Sequence, residues 1–166
     1  MRIPVVLITV VALGLTAGTA TAKAPATGTY HAGGGITFKF KLHKGKCPLP
    51  PKNLTDPKAK RGKVGKGICF SSFDDPPVNM NCPQGSLTGE QAVVSAMSGL
   101  RLTKSGSLHV KAYTYTSAPD PVGFTELSLE VTGSRVRGFV RQVDSIYPNG
   151  APVRCDSGKL SFTAHK

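Results

Sequence analysis

The sequence predicts an all-β fold, an antiparallel β-sandwich or barrel. Several short segments alternate apolar and polar residues with a period of two, which is typical of half-buried strands. Turn residues separate these segments at short intervals, and no long helical pattern stands among them. The 166 residues, 39% of them hydrophobic, suit a single domain, because a chain of about 150 residues can bury most of its surface around one core.

The first half of the chain begins with the clearest strand pattern. Between residues 36 and 42, Ile, Phe, Phe and Leu alternate with Thr and Lys. We expect a loop rich in Pro, Lys and Gly over residues 47–67, a strand over 67–73 and a short strand over 78–82. Proline-containing turns at 74–77 and 82–85 end these strands, because proline cannot continue a hydrogen-bonded ladder.

Residues 88–102 fit two patterns. Thr88 and Gln91 have the spacing of a helical capping box, and apolar residues after them fit one helical face. Alternate residues from Val94 to Leu102 also fit a strand. We favour the strand, because the segments on both sides are strand-like.

The second half of the chain alternates more regularly. Strands are expected over 108–116, 125–131, 136–143, 153–155 and 159–164, with turns at 104–107 and 132–134. The 125–131 strand should bury four alternate side chains, namely Thr125, Leu127, Leu129 and Val131.

Residues 1–22 have the features of a secretory signal peptide. Arg2 precedes a mostly apolar run over residues 3–15, and Ala20 and Ala22 are small residues at the positions that a signal peptidase recognises. The alternative, a membrane anchor, needs about 20 apolar residues, and this run is shorter. We therefore expect export, cleavage after Ala22, and one mature domain over residues 23–166 without a transmembrane segment.

The mature domain contains all four cysteines, Cys47, Cys69, Cys82 and Cys155. An even number of cysteines in an exported protein indicates disulfides, here two of them. A zinc site would want cysteine pairs two to four residues apart, whereas the spacings here are 22, 13 and 73. The residues alone leave three pairings open.

The order of short motifs over residues 28–164 resembles a family of uncharacterised secreted β-sandwich proteins from soil actinobacteria. These motifs are G-x-Y (28–30), I-x-F (36–38), C-P-x-G (82–85) and a terminal C-x-S-G-x-x-x-F-x-A (155–164). Leu108 departs from the family's usual aromatic residue, and the segment between Cys47 and Cys69 is longer and more basic. The resemblance implies a jelly-roll-like sandwich without known catalytic activity. It also implies a Cys82–Cys155 disulfide, which leaves Cys47 to pair with Cys69.

No motif for catalysis or metal binding stands out. Residues 85–89 have Leu where a nucleophile elbow needs Ser, and the Gly/Lys segment at 62–67 lacks the spacing of a P-loop. Asp74 and Asp75 precede two prolines, as turn residues do. The four histidines are scattered along the sequence, and we interpret them as ordinary strand and loop residues: His31, His43, His109 and His165. We expect no catalytic residue, no metal and no cofactor.

Positive charge is the strongest functional hint. The chain has 21 Lys and Arg against 9 Asp and Glu, a net charge of +12, or +11 without Arg2. A polyanion binds a basic cluster because it releases condensed counterions, although lysines in a solvated loop can also serve only to prevent edge aggregation. Ten basic residues fall within 28 positions, with Asp56 as the one acid among them: Lys39, Lys41, Lys44, Lys46, Lys52, Lys58, Lys60, Arg61, Lys63 and Lys66.

A second candidate is a basic and aromatic sheet face. Arg135, Arg137, Phe139 and Arg141 share one side of a strand, and residues 109, 111, 113 and 115 share one side of an earlier strand. If both strands join one sheet, arginines can bind carboxylate or phosphate while tyrosines stack on sugars. The competing interpretation is a routine exposed face. The predicted contact residues are Lys111, Tyr113, Tyr115, Arg135, Arg137 and Arg141.

These observations together predict a secreted, non-enzymatic module that binds an anionic glycopolymer or another component of the cell wall or extracellular matrix. Specific nucleic-acid recognition is not expected. One alternative is a small secreted hydrolase with Asp74 or Glu126 beside a histidine in a concave cleft. Another is a protein-interaction or inhibitor domain that uses the 47–69 loop as a rigid wedge.

Overall fold

The computed structural model describes residues 23–51, 62–115, 121–147 and 150–166, so the predicted signal peptide lies outside the described residues. Among the described residues, no helix is long and apolar enough to cross a membrane. These residues form a 3-10 helix, Ser95–Met97, and ten strands. The strands are β1 (Gly28–Gly34), β2 (Phe38–Pro48), β3 (Val64–Ser72), β4 (Pro77–Cys82), β5 (Gly85–Gln91), β6 (Ser107–Tyr115), β7 (Pro121–Thr132), β8 (Arg135–Ile146), β9 (Val153–Asp156) and β10 (Leu160–His165).

All ten strands join one antiparallel sheet that branches at β8. β7 pairs along one edge of β8, and β6 pairs with β7. The other edge of β8 is divided between β10, which pairs with residues 135–140, and β9, which pairs with residues 143–146. The sheet continues from β10 through β1 and β2 to β3, and from β9 through β4 to β5. The predicted all-β antiparallel fold is confirmed, with the sandwich built from one curled sheet.

The inner face of this sheet encloses one hydrophobic core. Phe40 is fully buried between the rings of Tyr30 and Phe70, whose centroids lie 5.3 and 5.5 Å from its own. Thr125, Leu127, Leu129 and Val131 are all buried, as the period of two predicted. We call the opposite side of the sheet, which turns away from this core, the outer face.

Two disulfides tie neighbouring strands together. Cys47–Cys69 links β2 to β3, and Cys82–Cys155 links β4 to β9. Both pairings agree with those that the family resemblance implied. Their sequence separations of 22 and 73 residues correspond to about 3 and 4 kcal/mol of stabilisation if the bonds act by restricting the unfolded chain.

The prediction of a strand over residues 88–102 is wrong beyond Gln91, where β5 ends. The following segment is irregular around the 3-10 helix, and it buries Ala92, Val94, Met97, Leu100 and Leu102. The N–H of Phe70 donates to the Leu100 carbonyl at 2.8 Å, and the N–H of Leu102 donates to the Ile68 carbonyl at 2.9 Å. This segment therefore covers the edge of β3, which satisfies backbone groups that would otherwise face solvent.

Both ends of the segment predicted as a loop, residues 47–67, are strand, because β2 runs to Pro48 and β3 begins at Val64. Residues 52–61 of this segment lie outside the described residues. The sequence pattern ends early because Lys44 and Lys46 occupy positions where a buried strand would carry apolar side chains. Backbone pairing continues past the core through residues 44–48 and 64–68. Lys44, Lys46 and Lys66 therefore belong to paired strands and not to a loop.

Gly138 lies where β8 packs closely against both neighbouring strands. A Cβ at this position would clash with the Ser128 carbonyl oxygen and would lie 2.7 Å from Cζ of Phe162. We expect Gly138→Ala to lower the free energy of unfolding by about 1–3 kcal/mol, because the added methyl overpacks the core. Urea unfolding measures the change.

Gly33→Ala is the matched control for this substitution, since nothing lies within 4 Å of a Cβ at Gly33. Its unfolding midpoint should stay near that of the wild type. An unchanged midpoint for Gly138→Ala would contradict the tight packing inferred at β8.

Candidate functional site

The β2–β3 ladder divides the predicted cationic cluster between two faces. Partners in an antiparallel ladder share a face, and β2 and β3 pair without a register shift. Lys39 and Lys41 alternate with buried phenylalanine and leucine, so they lie on the outer face. Lys44 is opposite Ile68, and Lys46 is opposite Lys66, on the continuation of the inner face beyond the core.

The inner-face lysines surround a recess at the end of the ladder. Lys44, Lys46 and Lys66 line a cavity of about 560 Å³ together with Ile68. The three salt bridges found within the described part of the chain involve none of these lysines. Lys63 is exposed just before β3, whereas Lys52, Lys58, Lys60 and Arg61 lie outside the described residues.

The outer face brings the two predicted basic regions together. Lys39 of β2 is opposite His31 of β1, His31 is opposite His165 of β10, and His165 is opposite Arg135 of β8. All four side chains are exposed. Because neighbouring strands lie about 4.8 Å apart, these residues form a row roughly 14 Å long across four strands. We call Lys39, His31, His165 and Arg135 the outer row.

Arg137 extends this basic surface along β8. It is opposite Thr163 of β10 and Glu130 of β7. Arg137 lines a depression of about 410 Å³ together with Gly33 and Thr163. It also lines a second depression, of about 270 Å³, together with Glu130. Gly33 has no side chain and Thr163 has a short one, so the sheet surface stays open beside the outer row.

In the predicted contact face between β6 and β8, Glu126 neutralises part of the positive charge at the centre. Both strands join the same sheet, but β7 lies between them and places Glu126 opposite Lys111 and Arg141. Oε2 of Glu126 lies 3.7 Å from Nζ of Lys111, and Oε1 lies 3.3 Å from Nε2 of His109. Glu126 is on the outer face, as expected, yet its neighbours bury it.

Aromatic side chains also engage cations on this part of the outer face. Nζ of Lys111 lies 4.6 Å from the ring centroid of Phe124, and Cζ of Arg141 lies 5.8 Å from it. The Tyr113 ring is 5.8 Å from Phe124, and Tyr115 is partly exposed farther along β6. Such contacts stabilise the cations in place. The sequence interpretation missed Phe124, because only the register of β6 and β7 sets it opposite Tyr113.

Arg141 is held by Asp156 of β9. Its Nε donates to Oδ1 of Asp156 at 3.0 Å, and its Nη2 donates to Oδ2. The hydrogen bond from Arg141 lowers the pKa of Asp156 below its ordinary value, against the opposing effect of burial. Of the predicted contact residues, Arg135 and Arg137 are exposed. Lys111 and Arg141 form salt bridges with acids, whereas Arg137 has Glu130 as its cross-strand neighbour.

A buried polar cluster lies inside the sheet near the start of β7. The Thr125 hydroxyl donates to Oε1 of Gln142, and Nε2 of Gln142 donates to a carboxylate oxygen of Asp144. Burial raises the pKa of Asp144, while the hydrogen bond from Gln142 partly opposes this shift. The backbone N–H of Gln142 donates to Oγ of Ser157 at 2.9 Å. This network joins β7, β8 and the turn after β9.

The carboxylates named for the hydrolase alternative occupy different settings. Glu126 does lie beside His109, but neither residue lines a cavity described above. Asp74 is exposed, and its neighbour Asp75 accepts hydrogen bonds from the backbone N–H and hydroxyl of Ser95 at 2.7 and 2.8 Å. Over the described ranges, no group of three or more His, Cys, Asp or Glu residues is placed to hold a metal ion.

Comparison with known proteins adds no functional assignment. No protein-family profile, curated protein or solved structure matches the chain. The resemblance to secreted actinobacterial proteins therefore stays a prediction.

Replacing Asp156 tests the ion pair on the outer face. Because the pKa of Asp156 is lowered in the folded protein, its stabilisation is present above the unfolded pKa near 3.9 and is lost as pH falls through the folded pKa. We expect Asp156→Asn to cost about 0.5–1 kcal/mol at neutral pH. The difference from wild type should shrink below about pH 3.

Thermal unfolding between acidic and neutral pH measures this effect. Asp74→Asn removes an exposed carboxylate and is the control. A destabilisation by Asp156→Asn that stays constant over the whole pH range would argue against the ion pair as its source.

Proposed function

We propose that the protein is an extracellular, non-enzymatic module that binds anionic polymers across the outer face of its sheet. The main support for the proposal is the outer row, in which His31 and His165 lie between Lys39 and Arg135 on neighbouring strands. The sequence places these residues at opposite ends of the chain. Together they provide a continuous basic surface, which neither the lysines of β2 nor the arginines of β8 provide alone.

The form of this surface favours a linear polyanion over a small anion. A small anion is bound best by donors that converge on one point, whereas the outer row spreads its side chains over roughly 14 Å. A polymer with repeated phosphate, sulfate or carboxylate groups can neutralise several such cations together and release their counterions. Arg137 and the open depression beside it widen the surface on one side.

The inner-face lysines act at longer range in this proposal. Lys44, Lys46 and Lys66 point away from the outer row, so one straight polymer segment cannot contact both sets. Their charge still raises the positive potential around the molecule and steers polyanions towards it. This contribution should weaken with salt, because the Debye length is about 8 Å at physiological ionic strength.

Extracellular location is supported by the signal-peptide pattern of residues 1–22 and by the two disulfides. The proposed ligands are polymers such as teichoic acid or heparin-like glycans. Lys and Arg contacts to phosphate carry no base information, so any nucleic-acid binding should be independent of sequence. Binding to an array of these polymers at two salt concentrations tests the ligand class.

Two double variants with equal loss of charge test the binding face. Lys39→Gln/Arg135→Gln should weaken heparin binding by about tenfold and reduce the slope of log affinity against log salt by about 1.5, because two contacting cations are lost. Lys44→Gln/Lys66→Gln removes two cations from the other side and should have a clearly smaller effect. Titration at several salt concentrations measures both.

Binding without salt dependence would contradict the proposal as a whole. Equal weakening by the two double variants would retain polyanion binding but reject the outer face as the contact surface. Circular dichroism of all variants checks that the sheet is intact.

A further inference from the structure

His31 and His165 occupy the centre of the outer row, and we propose that their protonation tightens polymer binding as pH falls from about 7.5 to about 5.5. The inference rests on the proposed function and adds its regulation. The two imidazoles come from strands near opposite ends of the chain and are directly opposite each other. Both are exposed, so a proton and a ligand can reach them from solvent.

The charged groups around His31 are cationic. On β2, Lys39 is directly opposite and Lys41 is the diagonal neighbour, opposite Thr29. On β10, the partner is His165 itself. The remaining neighbours on the same face of β1 and β10 are Thr29, Gly33 and Thr163, which carry no charge.

The surroundings of His165 are also mainly cationic. On β8, Arg135 is directly opposite and Arg137 is the diagonal neighbour. Lys166 follows in the chain, and its side chain extends over Gly28. Glu130 is opposite Arg137 and is separated from His165 by β8.

Protonation changes the row from two cations to four. Imidazole is the side chain that ordinarily changes charge between about pH 5 and 8. Two imidazolium ions directly opposite each other, between Lys39 and Arg135, repel in the free protein. A polyanion laid across the row removes this repulsion and gains two further contacts. Polymer binding and proton uptake therefore favour each other, as linkage requires.

Dextran sulfate is the probe, because sulfate esters stay ionised over this pH range and any change in binding reports on the protein. For the wild type we expect binding about tenfold tighter at pH 5.5 than at pH 7.5. The salt slope should steepen by roughly one to two, because up to two more cations contact the polymer. For His31→Gln/His165→Gln, we expect the affinity to change little between pH 7.5 and pH 5.5, because the variant loses most of the tightening that the wild type shows.

His109→Gln is the matched control, because His109 is an exposed histidine on the same face but lies beside Glu126, outside the row. It should keep the full pH response. His165→Arg gives the row a permanent charge, and it should bind more tightly than the wild type at pH 7.5 and respond less to pH.

Each outcome distinguishes the two proposals. A full pH response in His31→Gln/His165→Gln overturns the inference, and so does equal weakening of this variant at both pH values. If wild-type protein binds dextran sulfate without pH dependence, the inference fails while the proposed function stands. If wild-type protein binds no polyanion at either pH, the proposed function itself fails.

Discussion

The backbone ladder of β8 is the constraint on which the rest of the structure depends. One edge of β8 is occupied by β7, and the other is shared by β10 and β9, so this strand connects both branches of the sheet. If β8 shifted by one residue against β10, Arg135 would move from the exposed face to the buried face, and Val136 would move the other way. Close packing at Gly138 opposes such a shift. The register of β8 thereby fixes which side chains meet on the outer face.

Acidic residues make the two ends of the outer face different. Glu126 and Asp156 pair with Lys111 and Arg141 at the end formed by β6, β7 and β9. Toward β10, β1 and β2, the directly opposed partners in the outer row are basic residues and the two histidines. Since paired charges attract distant polyanions only weakly, the proposed binding depends mainly on the second end. Among Glu126, Glu130 and Asp156, the acid closest to the proposed site is Glu130, which is opposite Arg137 and not opposite a residue of the outer row.

The basic ladder of β2 and β3 is held by more than its own hydrogen bonds. The Cys47–Cys69 disulfide joins its strands, and both sulfur-bearing residues are buried. Gly65 and Gly67 leave room for the side chain of Arg101, which would clash with a Cβ at either position. Nη2 of Arg101 donates to the Lys63 carbonyl at 3.1 Å. This support keeps closely spaced lysines on a defined strand pair despite their mutual repulsion.

The sequence by itself determined the strand-rich fold, the buried positions of β7 and the clustering of basic residues, because period-two burial and composition are local properties. It did not determine the path of residues 92–102, whose apolar side chains are buried by contact with β3 and the core. Nor did it relate Lys39 to Arg135 or His31 to His165. Only the tertiary structure decided these pairs, because cross-strand register is set by hydrogen bonds between segments that are far apart in the chain.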